Sequence, residues 1–264
     1  VKICVLNLSG NVGKSTLAVH LLAAFAPGAR IVSVESINAT DVDRMPSLDV
    51  ESLGASRFKD IFREVMVHDE VIVDVGASNV AAFMVEMTRF RSAVGEFDQV
   101  LVPTVPADKQ QRDTIATIEW LHGLGIEGRR VRVVFNQYAT ETLEPVALAY
   151  AQVVGYGATD GRGKAVYEPY AVVAHNEIYE LAKSARRTVP ALAEDATDWK
   201  AARRAARQAG DAHALEAAMA GQIRHDLART ARDNLAQVHA LLFDAEAPAP
   251  RPEPVPGPGG ARRR

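Results

Sequence analysis

Five short runs of the chain are almost continuously apolar and rich in β-branched residues: 2–8, 30–34, 70–75, 99–102 and 131–135. Runs this short, without polar alternation, predict strands buried on both faces. Between them apolar residues recur every three or four positions. Residues 15–25, 57–67, 81–94 and 114–124 are therefore predicted helices, the second with Phe58, Ile61, Phe62 and Val65 on one face. Strand and helix alternate, which predicts an α/β fold with a mostly parallel sheet and helices on both faces. Crossovers should be right-handed.

The pattern loosens after Phe135. Residues 143–153 and 177–184 read as helices around a Gly-rich loop at 155–164. From Trp199 the composition shifts to Ala and Arg. Lys200, Arg203, Arg204 and Arg207 share one helical face. Further on, Ile223, Leu227, Ala231, Leu235, Val238 and Leu242 form an apolar stripe, to dock on the body or on a partner helix. The last stretch alternates proline from Pro248 to Pro258 and ends Arg262-Arg263-Arg264. Such a segment favours extended conformations and reads as a disordered tail. The predicted organisation is a body over 1–190, a helical extension over 191–245 and a Pro-rich tail over 246–264.

Composition narrows the classes. The chain has 264 residues, 48% hydrophobic and 24% charged, which is ordinary globular usage. With one cysteine, Cys4, an intramolecular disulfide is impossible, and a reducing, cytoplasmic compartment is expected. The most apolar stretch, 17–29, contains His20 and Pro27 and is too short to span a bilayer. Asn7, Asn11, Lys14 and His20 break the continuity a signal peptide needs. Charge divides unevenly: residues 1–198 carry 19 basic and 26 acidic groups, residues 199–264 carry 11 and 7. An anionic partner, including DNA phosphate, would meet the basic extension, although charge runs of this kind are also simply solvated helix surface.

The sharpest signal is Leu6-Asn7-Leu8-Ser9-Gly10-Asn11-Val12-Gly13-Lys14-Ser15-Thr16. It leaves a predicted strand and opens a predicted helix, the context of a phosphate-binding Walker A loop. Gly10 and Gly13 let the backbone curl so that successive N–H groups, Ser9 to Ser15, point inward. With the positive end of the helix they cradle a phosphate chain. Lys14 would neutralise β- and γ-phosphates, Ser15 would ligate Mg²⁺ and Thr16 would hold the α-phosphate. The full pattern asks for Gly where Leu8 stands; the shorter core Gly-x-x-Gly-Lys-Ser-Thr survives. A second strand ends in Asp74-Val75-Gly76, a Walker B arrangement with a carboxylate for the Mg²⁺ shell. The alternative for Asp74 is a helix cap, and for Asn136 a turn former.

These residues resemble the ParA/MinD family of deviant Walker ATPases. The loop aligns as Ser9-Gly10-Asn11-Val12-Gly13-Lys14-Ser15. Asp74-Val75-Gly76 resembles the family's Walker B, Leu101-Val102-Pro103-Thr104-Val105-Pro106 its fourth strand and loop, and Val133-Val134-Phe135-Asn136 the strand whose Asn contacts adenine. The likeness runs through residues 1–190. Leu-Asn-Leu-Ser-Gly-Asn-Val-Gly-Lys, followed by Val34-Glu35-Ser36-Ile37-Asn38, is most similar to StbB-type plasmid stability proteins.

The resemblance implies ATP and Mg²⁺ as cofactors, a homodimer, and a DNA-associated partner protein in plasmid stability, partition or conjugative transfer. It also exposes two departures. The family's signature lysine is Ser9 here. Its Asp-x-Asp pair reads Glu35 and Ile37, so Glu35 keeps a carboxylate while Ile37 cannot orient water; Asn38, Asp41 or Asp43 are the possible substitutes. Slow hydrolysis is expected. Asn136-Gln137-Tyr138-Ala139 lacks the acceptor of a guanine reader, which favours adenine. Two other classes remain open: a nucleotide-bound scaffold that does not hydrolyse, and a small-molecule kinase or ligase.

Overall fold

The computed structural model describes residues 1–35, 48–142, 144–161 and 163–243. Ile37, Asn38, Asp41, Asp43 and the predicted tail lie outside the described residues.

Among the described residues seven strands form one sheet: β1 (Lys2–Val5), β2 (Arg30–Val34), β3 (Val50–Leu53), β4 (Val71–Val75), β5 (Gln99–Thr104), β6 (Val131–Tyr138) and β7 (Val166–Ala174). Their order is β3-β2-β4-β1-β5-β6-β7, and every adjacent pair is parallel. The five predicted strands are all present and form the middle of the sheet. Cys4 and Val5 face Val73 and Asp74 on one side, and Val100 and Leu101 on the other.

Helices cover both faces. α1 starts at Lys14 and continues in wider turns to Ala23, where the Ala24 N–H reaches back five residues to the Val19 carbonyl at 3.2 Å. On its face pack α8 (Ile178–Ala185), α9 (Val189–Ala193) and α11 (Ala212–Phe243), around Val5, Leu17, Leu21, Ile31 and Leu235. The other face carries α2 (Phe58–Val67), α3 (Val80–Arg89), α4 (Arg91–Glu96), α5 (Asp108–Gly123), α6 (Val146–Ala149) and α7 (Ala151–Tyr156), around Val73, Phe83, Leu121, Phe135 and Tyr150.

Four segments differ from the sequence pattern. The predicted helix 81–94 breaks at Phe90, whose φ −106° and ψ 66° are not helical. The predicted helix 143–153 breaks at Tyr150, which turns into the core and donates its hydroxyl to the Asn136 carbonyl at 2.7 Å. Strands β3 and β7 lie at the edges and replace what had read as unpatterned chain.

The apolar stripe of the extension docks on the body. Ala231, Leu235, Val238 and Leu242 are buried there, while Ile223 remains 57% exposed. Asn234 closes the edge of β7: its amide nitrogen donates to the Val172 carbonyl and its oxygen accepts from the Ala174 N–H, both at 3.0 Å. An edge strand is thereby satisfied by a side chain rather than by another strand. Arg132 donates to the Leu241 and Leu242 carbonyls at the end of α11, at 2.8 and 3.3 Å. The buried His20 ring accepts the Val189 N–H at 3.1 Å, and burial pulls its pKa down to about 4, so it serves as a neutral acceptor.

α10 (Trp199–Ala209) packs on the first half of α11, where the Trp199 ring fills the space above Gly221. Ala206 is its one buried residue, and Lys200, Arg204 and Arg207 are exposed. Among the described residues no helix is long and apolar enough to cross a membrane.

Candidate functional site

The loop between β1 and α1 opens at the carboxyl ends of the strands, the place where open α/β sheets bind ligands. It lines a cleft of about 370 Å³ with Gly10, Asn11, Gly13, Lys14, Ser15, Thr16, Glu35, Gly76, Ala77, Gln137 and Glu180. Asn11 and Gly13 both have positive φ, 57° and 82°. Gly13 is forced twice over: its conformation is left-handed, and a Cβ there would sit 2.0 Å from the Asn136 amide nitrogen. Gly10 faces Ala77 at ordinary contact distance.

Lys14 is buried to 6% exposure, and its ammonium donates to the Ser9 carbonyl at 2.7 Å and the Asn7 carbonyl at 3.3 Å. Burial lowers its pKa, while Asp74 and Glu35 oppose that shift. Two backbone carbonyls are weaker company for a buried cation than an anion.

Asp74 ends β4 at 1% exposure. Burial raises its pKa to about 6 against the lowering effects of the Ser15 hydroxyl and Lys14; Glu35 adds to the rise. Its Oδ1 is buried without a hydrogen-bond partner. A buried carboxylate oxygen left over beside a serine hydroxyl is a donor set of hard oxygens, which suits Mg²⁺. The residues present therefore fit the cation: Ser15 and Asp74 would hold it. Glu35 lies over Gly76 so closely that a Cβ at Gly76 would meet its carboxylate at 1.9 Å. That glycine is what admits the second carboxylate to the cleft.

Other predicted residues lie elsewhere. Ser9 is buried, and its hydroxyl donates to Asp113 Oδ2 at 2.8 Å, turned towards α5 rather than into the cleft. Val12 is buried under the loop. Asn136 stands beneath the loop at 3% exposure; its amide nitrogen donates to the Val12 carbonyl at 2.9 Å and its oxygen accepts the Gln137 N–H at 2.9 Å. Its nitrogen thus braces the loop, while its oxygen is taken up by the neighbouring residue of β6. Gln137, with φ 60°, lines the cleft instead and donates to the Asn11 carbonyl at 3.3 Å. Sequence reasoning singled out Asn136 and passed over Gln137 and Glu180. No sequence pattern marks a strand-end glutamine that turns left-handed, or a helix glutamate brought in from α8.

No protein-family model matches the chain, and no curated protein sequence matches it. Solved structures do. MinD of Aquifex aeolicus, solved in a MinC:MinD complex, matches with a TM-score of 0.55 at 14% identity, over 95% of this chain and 99% of the other. MinD of the same organism in a separate structure matches with a TM-score of 0.51 at 14% identity, over 95% of this chain and 100% of the other. At this identity the likeness is one of fold: the chain has the P-loop NTPase fold seen in MinD.

Proposed function

We propose that the chain is a ParA-like Mg·ATP-binding protein and a slow ATPase, cytoplasmic, whose nucleotide state controls a partner. The observation that carries this reading is the buried, unpaired Asp74 Oδ1 beside Ser15, together with a loop whose lysine is parked on two carbonyls. On nucleotide binding the Lys14 ammonium would leave the Ser9 and Asn7 carbonyls for the phosphates. Loop N–H groups would cradle the chain of phosphates, and Mg²⁺ would supply charge neutralisation there. Glu35 would raise the basicity of the cleft and order water near it.

Plasmid stability, partition or conjugative transfer is the proposed setting, on the wording of the loop and of Val34-Glu35. A MinD neighbour is solved with a protein partner, which supports a partner protein here, DNA-associated in the proposed setting. A homodimer and a sequence-independent contact of the basic extension with DNA complete the proposal. On this reading Gly10, Asn11, Gly13, Lys14, Ser15 and Thr16 bind the nucleotide, and Asn136 acts through the loop.

One observation favours a scaffold that binds nucleotide without turning it over. Ser9 is neutral and already committed to Asp113, so the loop's start offers no second cation to the γ-phosphate. Losing one such group costs about 10²–10³ in rate. ATP turnover and particle size measured together, in ATP and in ADP, separate the two. Turnover that rises with a partner supports the ATPase; tight binding with none supports the scaffold; no binding of either nucleotide removes both.

A further inference from the structure

A set of buried polar groups beneath the loop has no role in the cleft itself. Asn7, Thr114 and Thr117 are fully buried. Polar groups are costly to bury unless paired, and here the pairing has a direction. Thr114 donates its hydroxyl proton to the Gln110 carbonyl at 2.8 Å, and Thr117 to the Asp113 carbonyl at 2.7 Å. A hydroxyl has one proton, so both oxygens are left as acceptors. The loop supplies the donors: the Asn7 amide to Thr114 Oγ1 at 2.8 Å, and the Leu8 N–H to Thr117 Oγ1 at 3.1 Å.

Asn7 also donates to the Pro103 carbonyl at 2.7 Å and accepts the Ser9 N–H at 2.7 Å. Ser9 donates to Asp113, which Lys109 holds from the solvent side at 2.7 Å. Three consecutive residues, Asn7, Leu8 and Ser9, are thus tied to one face of α5. The Asn7 and Ser9 carbonyls are the two that hold the Lys14 ammonium.

We propose that Asn7, Thr114 and Thr117 are positioning residues for nucleotide: they fix the start of the phosphate loop on α5, and so fix where Lys14 waits. The inference rests on the nucleotide reading of the cleft. Packing alone would make these residues matter for melting and not for phosphate affinity. Valine separates the two roles, because it keeps the shape of threonine and removes the acceptor. Serine keeps the acceptor and loses a methyl.

The test compares the full-length wild type with Thr114→Val/Thr117→Val and Thr114→Ser/Thr117→Ser. A fluorescent ATP analogue is titrated with Mg²⁺ well below the melting point of each. Hydrogen exchange is followed on the peptide covering residues 6–16. The expected result is an affinity about tenfold weaker and faster exchange in the valine pair, with the serine pair close to wild type. Should the valine pair misfold, the single variants Thr114→Val and Thr117→Val carry the comparison. Valine variants that bind and exchange like wild type overturn the proposal. If the wild type binds no nucleotide, the reading of the cleft fails instead. Exchange then decides the frame alone: faster in valine than in serine upholds the tie to α5, and equal rates overturn it.

Discussion

Two clefts of nearly equal size open at opposite ends of the sheet. One, about 370 Å³, is the loop cleft with Lys14, Ser15, Glu35 and Gln137. The other, about 380 Å³, lies at the amino ends of the strands and is lined by Ile3, Leu22, Phe25, Ile72, His239 and Phe243. The second is the more apolar, and its aromatic rings pack on one another, Phe25 on His239 at 5.1 Å and His239 on Phe243 at 4.7 Å. Size does not distinguish the two. Polar chemistry does: the loop cleft is lined by the Lys14 ammonium, held by two backbone carbonyls, and Asp74 beside Ser15 buries an unpaired carboxylate oxygen, while the basal cleft shows aromatic side chains resting on each other.

The largest expected break in this contrast is Lys14→Ala. It should weaken Mg·ATP by at least about a hundredfold while leaving the melting temperature near wild type. Calorimetric titration that finds unchanged affinity would remove the loop assignment.

Asp74→Asn comes next. It should lose about tenfold in affinity with Mg²⁺ present and little in EDTA, because on the proposed reading the carboxylate serves the cation rather than the phosphates. Equal losses in both conditions would make Asp74 structural.

The same residue gives a pH signature. The folded protein keeps the Asp74 proton up to about pH 6, whereas the unfolded chain releases it near 3.8. The folded state therefore binds more protons between those values, and ligand-free stability should fall as pH rises from 4 to 6. The amount is on the order of 2–3 kcal/mol. Denaturant melts of wild type against Asp74→Asn should show the variant the more stable at pH 7.5, with the gap closing towards pH 4. A constant gap would mean the carboxyl does not titrate in that window.

The smallest effect belongs to the basal cleft. Phe25→Ala should cost about 1–2 kcal/mol of stability, less than a core phenylalanine because the ring is only partly covered. Nucleotide affinity should not move. A change there of more than a few-fold would couple the two ends of the sheet and undo the contrast.

How much of this was legible depends on the kind of residue. The central strands read off the sequence because both their faces are covered, which leaves continuous apolar runs such as Val71-Ile72-Val73. β3 did not: Val50-Glu51-Ser52-Leu53 is an edge strand whose half-buried glutamate and exposed serine break the run. β7 did not, because Pro169 interrupts it and its outer edge is met by Asn234 of α11 rather than by another strand. The loop was legible because its glycines, lysine and serine lie in one contiguous string. The frame under it was not. Thr114 and Thr117 read as ordinary helix residues, and only the fold brings their oxygens to Leu8 and Asn7. Asn136 was singled out by position, and the structure makes it a brace, since its side chain is spent on Val12 and Gln137.

The placement of tryptophan has an optical consequence. The chain has two, Trp120 and Trp199. Trp120 rides on α5, the helix to which the phosphate loop is tied. Trp199 starts α10 and lies against Gly221 of α11, away from the loop cleft. With either one replaced by phenylalanine, the emission of the survivor reports a single place. Light from Trp120 would follow events at the loop, and light from Trp199 would follow whatever touches the basic helix. The protein thus carries its own pair of separable dyes, one for each of the two regions where a partner and a nucleotide would leave their mark.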